Sequence, residues 1–345
     1  MSTKLKAIYN KQEWDACIKE CGFFDFYHTF DYHHLSKAED ETPLLLKYSG
    51  KYMTVAIPLL ARKIKDTNYK DATSVYGYAG PIYKGNIANF DNKKFKNALT
   101  KYFLDNNFVS IFSRLSPFIN AQNVILKDIG IIVRLGKVVN IDIQKDLDKQ
   151  RHLFQSRLKT HINRARRLCQ VKIATTCEDL EQFKSIYYEN MDRVNAKEFY
   201  YFNDSYFEKI IKSNDFKSEI LLAIDNETGK TIAGCLFITT NGIVQYHLSG
   251  TKNDYLHLTP TKLLIDEMRI MASQRGHTFF NLGGGLGGRN DDSLFNFKAS
   301  FSKDFKEFNL WKFIVNQEVY DELVIKKGIV DKSNYFPLYR LLNDF

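Results

Sequence analysis

Apolar residues along the chain fall into short runs separated by turn residues, and two passages carry these runs in the same order. Leu44-Leu45-Leu46-Lys47 leads through Gly50-Lys51 to Val55-Ala56-Ile57-Pro58-Leu59-Leu60. Leu221-Leu222-Ala223-Ile224 leads through Asp225-Asn226-Glu227-Thr228 and Gly229-Lys230 to Ile232-Ala233-Gly234-Cys235-Leu236-Phe237. Each passage reads as strand, glycine-bearing turn, strand. A third strand is predicted at Tyr76-Gly77-Tyr78-Ala79-Gly80 in one half and at Tyr246-His247-Leu248-Ser249-Gly250 in the other. Helical spacing follows over Lys94 to Asn106 and over Thr261 to Ser273, where Leu264, Met268 and Met271 share a face. A closing strand then appears in both, Val109 to Phe112 and Thr278 to Leu282.

The copies are offset by about 170 to 180 residues, which predicts a tandem duplication of one α/β unit. The joint is expected after the strand Val139-Asn140-Ile141-Asp142-Ile143, giving a first domain over 1–147 and a second over 148–345. Beyond it a polar helix is predicted from Asp146 to Leu168, with Phe154, Leu158, Ile162 and Ala165 on one face. Arg157, Arg164 and Arg167 line an adjacent stripe, with Lys159, His161 and Arg166 around it. Such a stripe is either a solvated face or a set of guanidinium forks that tracks a polyanion.

Length and composition narrow the class. A chain of 345 residues with 44% apolar content, 27 Phe and 20 Tyr has the material for two cores and excludes a disordered chain. No apolar run approaches the roughly 18 residues of a membrane span. The start, Met1-Ser2-Thr3-Lys4-Leu5-Lys6, has no apolar stretch behind it that would mark a leader, so a cytoplasmic protein is expected. Five cysteines (Cys17, Cys21, Cys169, Cys177, Cys235) cannot all pair and read as free thiols. Cys17 and Cys21 with His28, His33 and His34 match no zinc spacing, and no metal or nicotinamide cofactor is expected. A formal net charge of +9 favours an anionic partner: nucleic acid, a nucleotide-linked substrate, or lipid head groups reached by peripheral contact with the inner membrane surface.

The most distinctive stretch is Asn281-Leu282-Gly283-Gly284-Gly285-Leu286-Gly287-Gly288-Arg289-Asn290-Asp291-Asp292-Ser293-Leu294-Phe295-Asn296-Phe297-Lys298. A strand runs into glycines, then capping residues open a short helix. Gly284 and Gly285 let the backbone approach a ligand closely, and the following helix start offers N–H donors to an anion or oxyanion. The stretch lacks the Gly-Lys-Ser/Thr ending of a P-loop.

The ending Phe-Asn-Leu-Gly-Gly-Gly, then Asp-Ser-Leu-Phe and Phe297-Lys298 with Phe301 beyond, resembles the signature of the Fem-type peptidyltransferases and their GNAT-like relatives. Supporting matches are Ile57-Pro58-Leu59-Leu60 with Arg62, Asp71 ahead of Tyr76-Gly77-Tyr78-Ala79-Gly80-Pro81, and Phe112-Ser113-Arg114-Leu115 before Pro117. Others are Lys159 to Arg167, Tyr187 with Met191-Asp192-Arg193, and Tyr246 to Thr251. The resemblance implies an α/β protein of two tandem GNAT-like domains, each a mixed, mostly antiparallel sheet flanked by helices. It also implies an aminoacyl- or acyltransferase that forms an amide or ester on a cell-envelope precursor, such as a peptidoglycan or surface-polysaccharide intermediate.

By that resemblance Lys298 neutralises charge developing on the carbonyl oxygen or on the donor, and Phe297 packs the site beside it. Arg114, Lys159 and Arg164 would bind phosphates, and Tyr246, Gly284 and Gly285 would contact substrate. Many relatives carry an acidic residue before the proline that here is Pro117, whereas this chain has Ser116. A carboxylate base is therefore in doubt, and His247 is the candidate proton acceptor.

GNAT enzymes that use coenzyme A hold its pyrophosphate with a glycine-rich loop before a helix, and the matching stretch Asn253 to Thr261 has no glycine. The donor is therefore expected to be aminoacyl-tRNA, and no cofactor is expected to bind tightly. The alternatives are an acyl-CoA-dependent N-acyltransferase of a nucleotide- or lipid-linked amino sugar, and a non-catalytic RNA-binding protein.

Overall fold

The computed structural model describes residues 4–328 and 334–341. In chain order the elements are β1 (Lys4–Ile8), α1 (Lys11–Cys21), α2 (Phe30–Ser36), β2 (Glu41–Ser49), β3 (Met53–Lys63), β4 (Lys70–Thr73), β5 (Ile82–Gly85), α3 (Asn92–Asp105), β6 (Phe108–Arg114), α4 (Gln122–Ile125) and β7 (Ile131–Asp142). They continue as α5 (Leu147–His152), α6 (Ser156–Leu168), β8 (Cys169–Ile173), α7 (Cys177–Arg193), α8 (Asp204–Lys212), β9 (Lys217–Asp225), β10 (Thr231–Thr240), β11 (Ile243–Thr251), α9 (Pro260–Gln274), β12 (Phe279–Gly283), α10 (Ser293–Ala299), β13 (Asp304–Ile314) and α11 (Gln317–Lys326).

The chain divides into two compact units, 1–135 with 307–345, and 136–306. In the first unit β1, β2, β3 and β4 pair antiparallel in succession, β5 pairs with β3, β4 pairs with β6 in parallel, and β6 pairs with β13 antiparallel. The second unit repeats that plan: β8, β9, β10 and β11 pair antiparallel, β11 pairs with β12 in parallel, and β12 pairs with β7 antiparallel. Strand, two helices, three strands, helix and strand recur in order, with β5 an additional strand in the first unit, so the duplication read from the apolar pattern is present in the fold. Within each unit the strands, mostly antiparallel, are flanked by helices.

The division differs from a boundary at 147/148. The last strand paired within each unit comes from the far side of the chain: β7 follows the first unit's α4 but pairs with β12, while β13 follows α10 but pairs with β6. Residues 307–345 therefore group with the first unit. Turn signals and periodicity are local, and they do not report which sheet a strand joins.

Two local expectations are also corrected. The third strand of the first half is Lys70–Thr73; Tyr76 to Gly80 instead forms a bend, with Gly77 at φ +135 and Gly80 at φ +82. That glycine-permitted backbone leaves Ala79 with a lone bridge to Leu115. The polar helix is two helices, α5 and α6. Between them Phe154 turns into the core, and Gln155, in extended backbone, donates its N–H to Ser300 O at 2.9 Å.

The core of the second unit joins Val139 and Ile141 of β7, Leu158 and Ile162 of α6, Val244 of β11, Leu264 and Met268 of α9, and Phe280 and Leu282 of β12. Phe295 and Ala299 bring α10 against the same cluster. The first unit has separate clusters, one built on Phe95, Leu99, Phe103, Ile111 and Trp311 and another around Trp14 and Leu45.

Candidate active site

In the second unit β11 and β12 are paired only at Ile243–Phe279, Val244–Phe280 and Gln245–Asn281. From Tyr246 to Thr251, β11 runs on with β10 alone, so among the described residues no strand covers the edge it turns toward β12. At the fork Asn281 Nδ2 donates to Gln245 Oε1 at 2.8 Å, with both side chains buried. Unpaired strand edge of this kind offers N–H and C=O groups to an extended ligand.

Past the fork β12 enters the glycine turn. Gly283, at φ +79, donates its N–H to Asn281 Oδ1 at 2.9 Å. A Cβ on Gly285 would lie 2.4 Å from Arg289 O and 2.5 Å from Asp292 Oδ1, so only glycine fits there. Asp292 braces the turn from inside: Oδ2 accepts from Leu286 N at 2.5 Å, and Oδ1 caps α10 by accepting from Phe295 N at 2.6 Å. Asp291 instead pairs with Arg289 at 3.1 Å.

Lys298 sits in the last turn of α10 and is only 8% exposed. Its Nζ donates to Gly284 O at 2.7 Å. Burial pushes the ammonium down to about 8, with the nearby Asp292 charge opposing the shift. Lys298 is thus a buried cation aimed at the glycine turn. Phe297 packs against the core and meets Phe301 edge to face at 5.8 Å. Tyr246 also lies against that core, its hydroxyl hydrogen-bonded to Ser249 Oγ.

His247 occupies the irregularity in β11 where the register with β10 slips between Leu236 and Phe237. Its Nε2 is 2.7 Å from Tyr206 Oη. Burial holds the imidazole down at about 3, so it is neutral and takes up a proton poorly near pH 7. This weighs against the proton-acceptor role expected of it.

A basic cluster forms where α6 meets the start of α9. Lys262 Nζ donates to His161 Nδ1 at 2.6 Å. Burial and the charges of Lys262, Arg157 and Arg164 hold His161 below its ordinary value; burial and Arg157 do the same to Lys262. Arg157 and Arg164 are exposed. Lys159 is half-buried, its Nζ 3.4 Å from His152 O. Arg166, beside the stripe, is structural, since Arg151, Arg166 and Arg269 converge on the buried Asp266 and tie α5 and α6 to α9. The stretch between β11 and α9 is a 3-10 helix, Asn253–Leu258, followed by Thr259 at φ +53. A cation cluster with no acid among its named members, beside the start of a 15-residue helix, suits phosphate.

Arg114 lies in the first unit, at the end of β6, with its guanidinium 5.3 Å from the Tyr76 ring and 5.2 Å from that of Phe112. Ser116 is buried and donates its N–H to Gln122 Oε1 at 2.8 Å. Cys17 and Cys21 are buried on α1, and among the described residues no three His, Cys, Asp or Glu side chains gather to hold a metal. Among the described residues no helix is long and apolar enough to cross a membrane.

The sequence singles out Lys298 and the glycines, which the fold brings together, but not the Asn281–Gln245 pair, the bracing by Asp292, or Gly136. A Cβ on Gly136 would lie 1.9 Å from Gly288 O. Asp292 was legible as a cap, whereas Gln245 and Gly136 are distant in sequence and carry no local signal.

Comparison with known proteins follows the same lines. Residues 223–310, from β9 to β13, match the model of the FemAB family. No curated protein sequence matches the chain. The crystal structure of FemX superposes with a TM-score of 0.70 at 14% identity, covering 93% of this chain and 99% of FemX. L-PGS from Bacillus licheniformis gives 0.57 at 14% identity, over 93% of this chain and 97% of that one. A tandem GNAT protein from the clavulanic acid biosynthesis pathway gives 0.50 at 8% identity, over 91% and 99%. These establish the fold, and with the FemAB match they bear out the Fem-type and GNAT-like resemblance read from the motifs.

Proposed function

We propose that the chain is an acyltransferase that joins an acyl or aminoacyl group to an amine, or less often a hydroxyl, of a cell-envelope precursor. The observation that carries this reading is Lys298: a cation kept in a buried seat on the glycine turn, beside a strand fork whose edge is open. When an amine attacks an activated carbonyl, negative charge gathers on the carbonyl oxygen. A preorganised ammonium with little water around it stabilises that charge far more than one in bulk solvent. The C–N bond forms, the bond to the carrier breaks, and the amine's proton ends on the departing group. Gly284 and Gly285 let backbone approach the reacting group; Phe297 and Tyr246 wall it.

The donor is aminoacyl-tRNA in this reading. Arg157, Arg164 and Lys262, with Lys159 alongside, supply cations for phosphates where the sequence lacks a glycine loop, and His161 accepts from Lys262 among them. Similarity to FemX and the FemAB match support a transferase reading, and the acceptor in this reading is a peptidoglycan or surface-polysaccharide intermediate carried on a nucleotide or lipid. The same cluster would also suit the pyrophosphate of acyl-CoA, so the test must separate the two donors. Purified protein is offered an amino-sugar or peptide acceptor with charged tRNA or acyl-CoA, with and without ribonuclease, and the product is followed by mass spectrometry. Transfer from charged tRNA that ribonuclease abolishes is expected. Ribonuclease-insensitive transfer from acyl-CoA would overturn the donor assignment, and transfer from neither would favour an RNA-binding role without chemistry.

A further inference from the structure

We infer that Asn281 is a positioning residue: one buried amide holds the fork between β11 and β12 together and sets the turn whose carbonyl seats Lys298. The inference deepens the reading above and rests on it only for the claim that the seat matters to transfer.

The two ends of the Asn281 side chain serve different partners. Nδ2 donates to Gln245 Oε1 across the last paired position of the fork, and Oδ1 accepts from Gly283 N on its own strand. The second bond spans the point where the register between β12 and β7 slips, between Asn281 and Gly283. Gly284, whose carbonyl receives Lys298 Nζ, is the next residue. Opposite Asn281 on β7, Asn140 continues the row, donating from Nδ2 to Asp304 Oδ2 at 2.7 Å.

A buried amide is costly unless its donor and acceptor are both used. Asn281 uses both, is 0% exposed, and couples the gap to the lysine through fewer than three residues of backbone. Leucine at this position would preserve volume but remove the acceptor of Gly283 N and the Asn281 donor to Gln245 Oε1. The turn would then relax away from Lys298 and admit water.

The test needs no substrate. The free amine of Lys298 is labelled with an acylating reagent across pH, and its modification is followed by peptide mass spectrometry in the wild type, in Asn281→Leu and, should leucine prevent folding, in Asn281→Ala. Lys298→Met identifies the signal, and thermal melting confirms folding. The expected result is an upward shift of the Lys298 midpoint by about one unit, which lowers labelling at pH 7 about tenfold. An unchanged midpoint in a folded Asn281 variant overturns the inference. Turnover of Lys298→Met reports separately: full turnover there would refute the transfer reading and leave the Asn281 result standing.

Discussion

Each unit contains one parallel strand pair, and the two pairs end differently. In the first unit β4 and β6 part after Thr73 and Phe112, and the gap is filled. Ser74 donates its N–H to Phe112 O at 3.0 Å, Ala79 bridges Leu115, and Gln122 reaches in with Oε1 on Ser116 N and Nε2 on the carbonyls of Ala79 and Pro81. In the second unit a single amide pair, Asn281 with Gln245, marks the fork, and beyond it stand the glycine turn and Lys298. Both copies thus supply the same opening in the sheet. One spends it on packing, the other keeps it open and places a buried cation there, which is why we assign the chemistry to the second.

The comparison breaks first at Lys298. Replacing it by Met keeps volume but removes the charge, and turnover should fall about 10²- to 10³-fold, the usual loss for one preorganised donor. Unchanged kcat would remove Lys298 from the mechanism. An exposed lysine would contribute little to folding; this one is buried, and its replacement should be tolerated for a different reason.

That reason has a sign. Because burial holds Lys298 at about 8 against an ordinary 10.5, the unfolded chain binds the proton more tightly between those values. Stability therefore rises with pH through that window, by roughly 3 kcal/mol at most. Lys298→Met should lack the rise and be somewhat more stable at pH 7, which paired denaturation curves at pH 7 and 10 would show. Parallel curves for both proteins would place the lysine in water.

In the first unit Gln122→Ala should do the reverse, costing about 2 kcal/mol of stability through the groups left unbonded while changing turnover less than threefold. A large loss of turnover without loss of stability would mean that the closed fork also serves the chemistry. The smallest expected effect is at the basic cluster. Replacing Arg157, Arg164 and Lys262 by Gln should weaken donor binding about tenfold near 0.1 M salt and flatten its salt dependence by about two contacts. An unaltered salt slope would make the stripe a solvated face.

The duplication was legible because hairpins, a glycine-bearing turn and helical spacing are local patterns, repeated in the same order at both ends of the chain. The exchange of β7 and β13 was not, since strand partnership is a long-range choice that alternation in β13 does not encode. Lys298 was visible beside its glycines, but its burial depends on α10 packing through Phe295 and Ala299. His247 illustrates the opposite limit: a histidine on a central strand reads as a base, and only the fold reveals the burial that lowers its basicity and the Tyr206 hydroxyl at its Nε2. Arg166 read only as one more charge beside the arginine stripe, and only the fold reveals Asp266 beneath it.

The central claim is that Lys298 acts as a cation at the open fork, and the pH dependence of kcat tests it most directly, with the donor and acceptor identified by the transfer screen at saturation. The account predicts a plateau below pH 8 and a decline above it as the ammonium loses its proton, with Lys298→Arg removing that alkaline decline in whatever activity it retains. A kcat that instead climbs through pH 8 in the wild type and loses that rise in Lys298→Arg would show the neutral amine to be the working form, and would contradict the account.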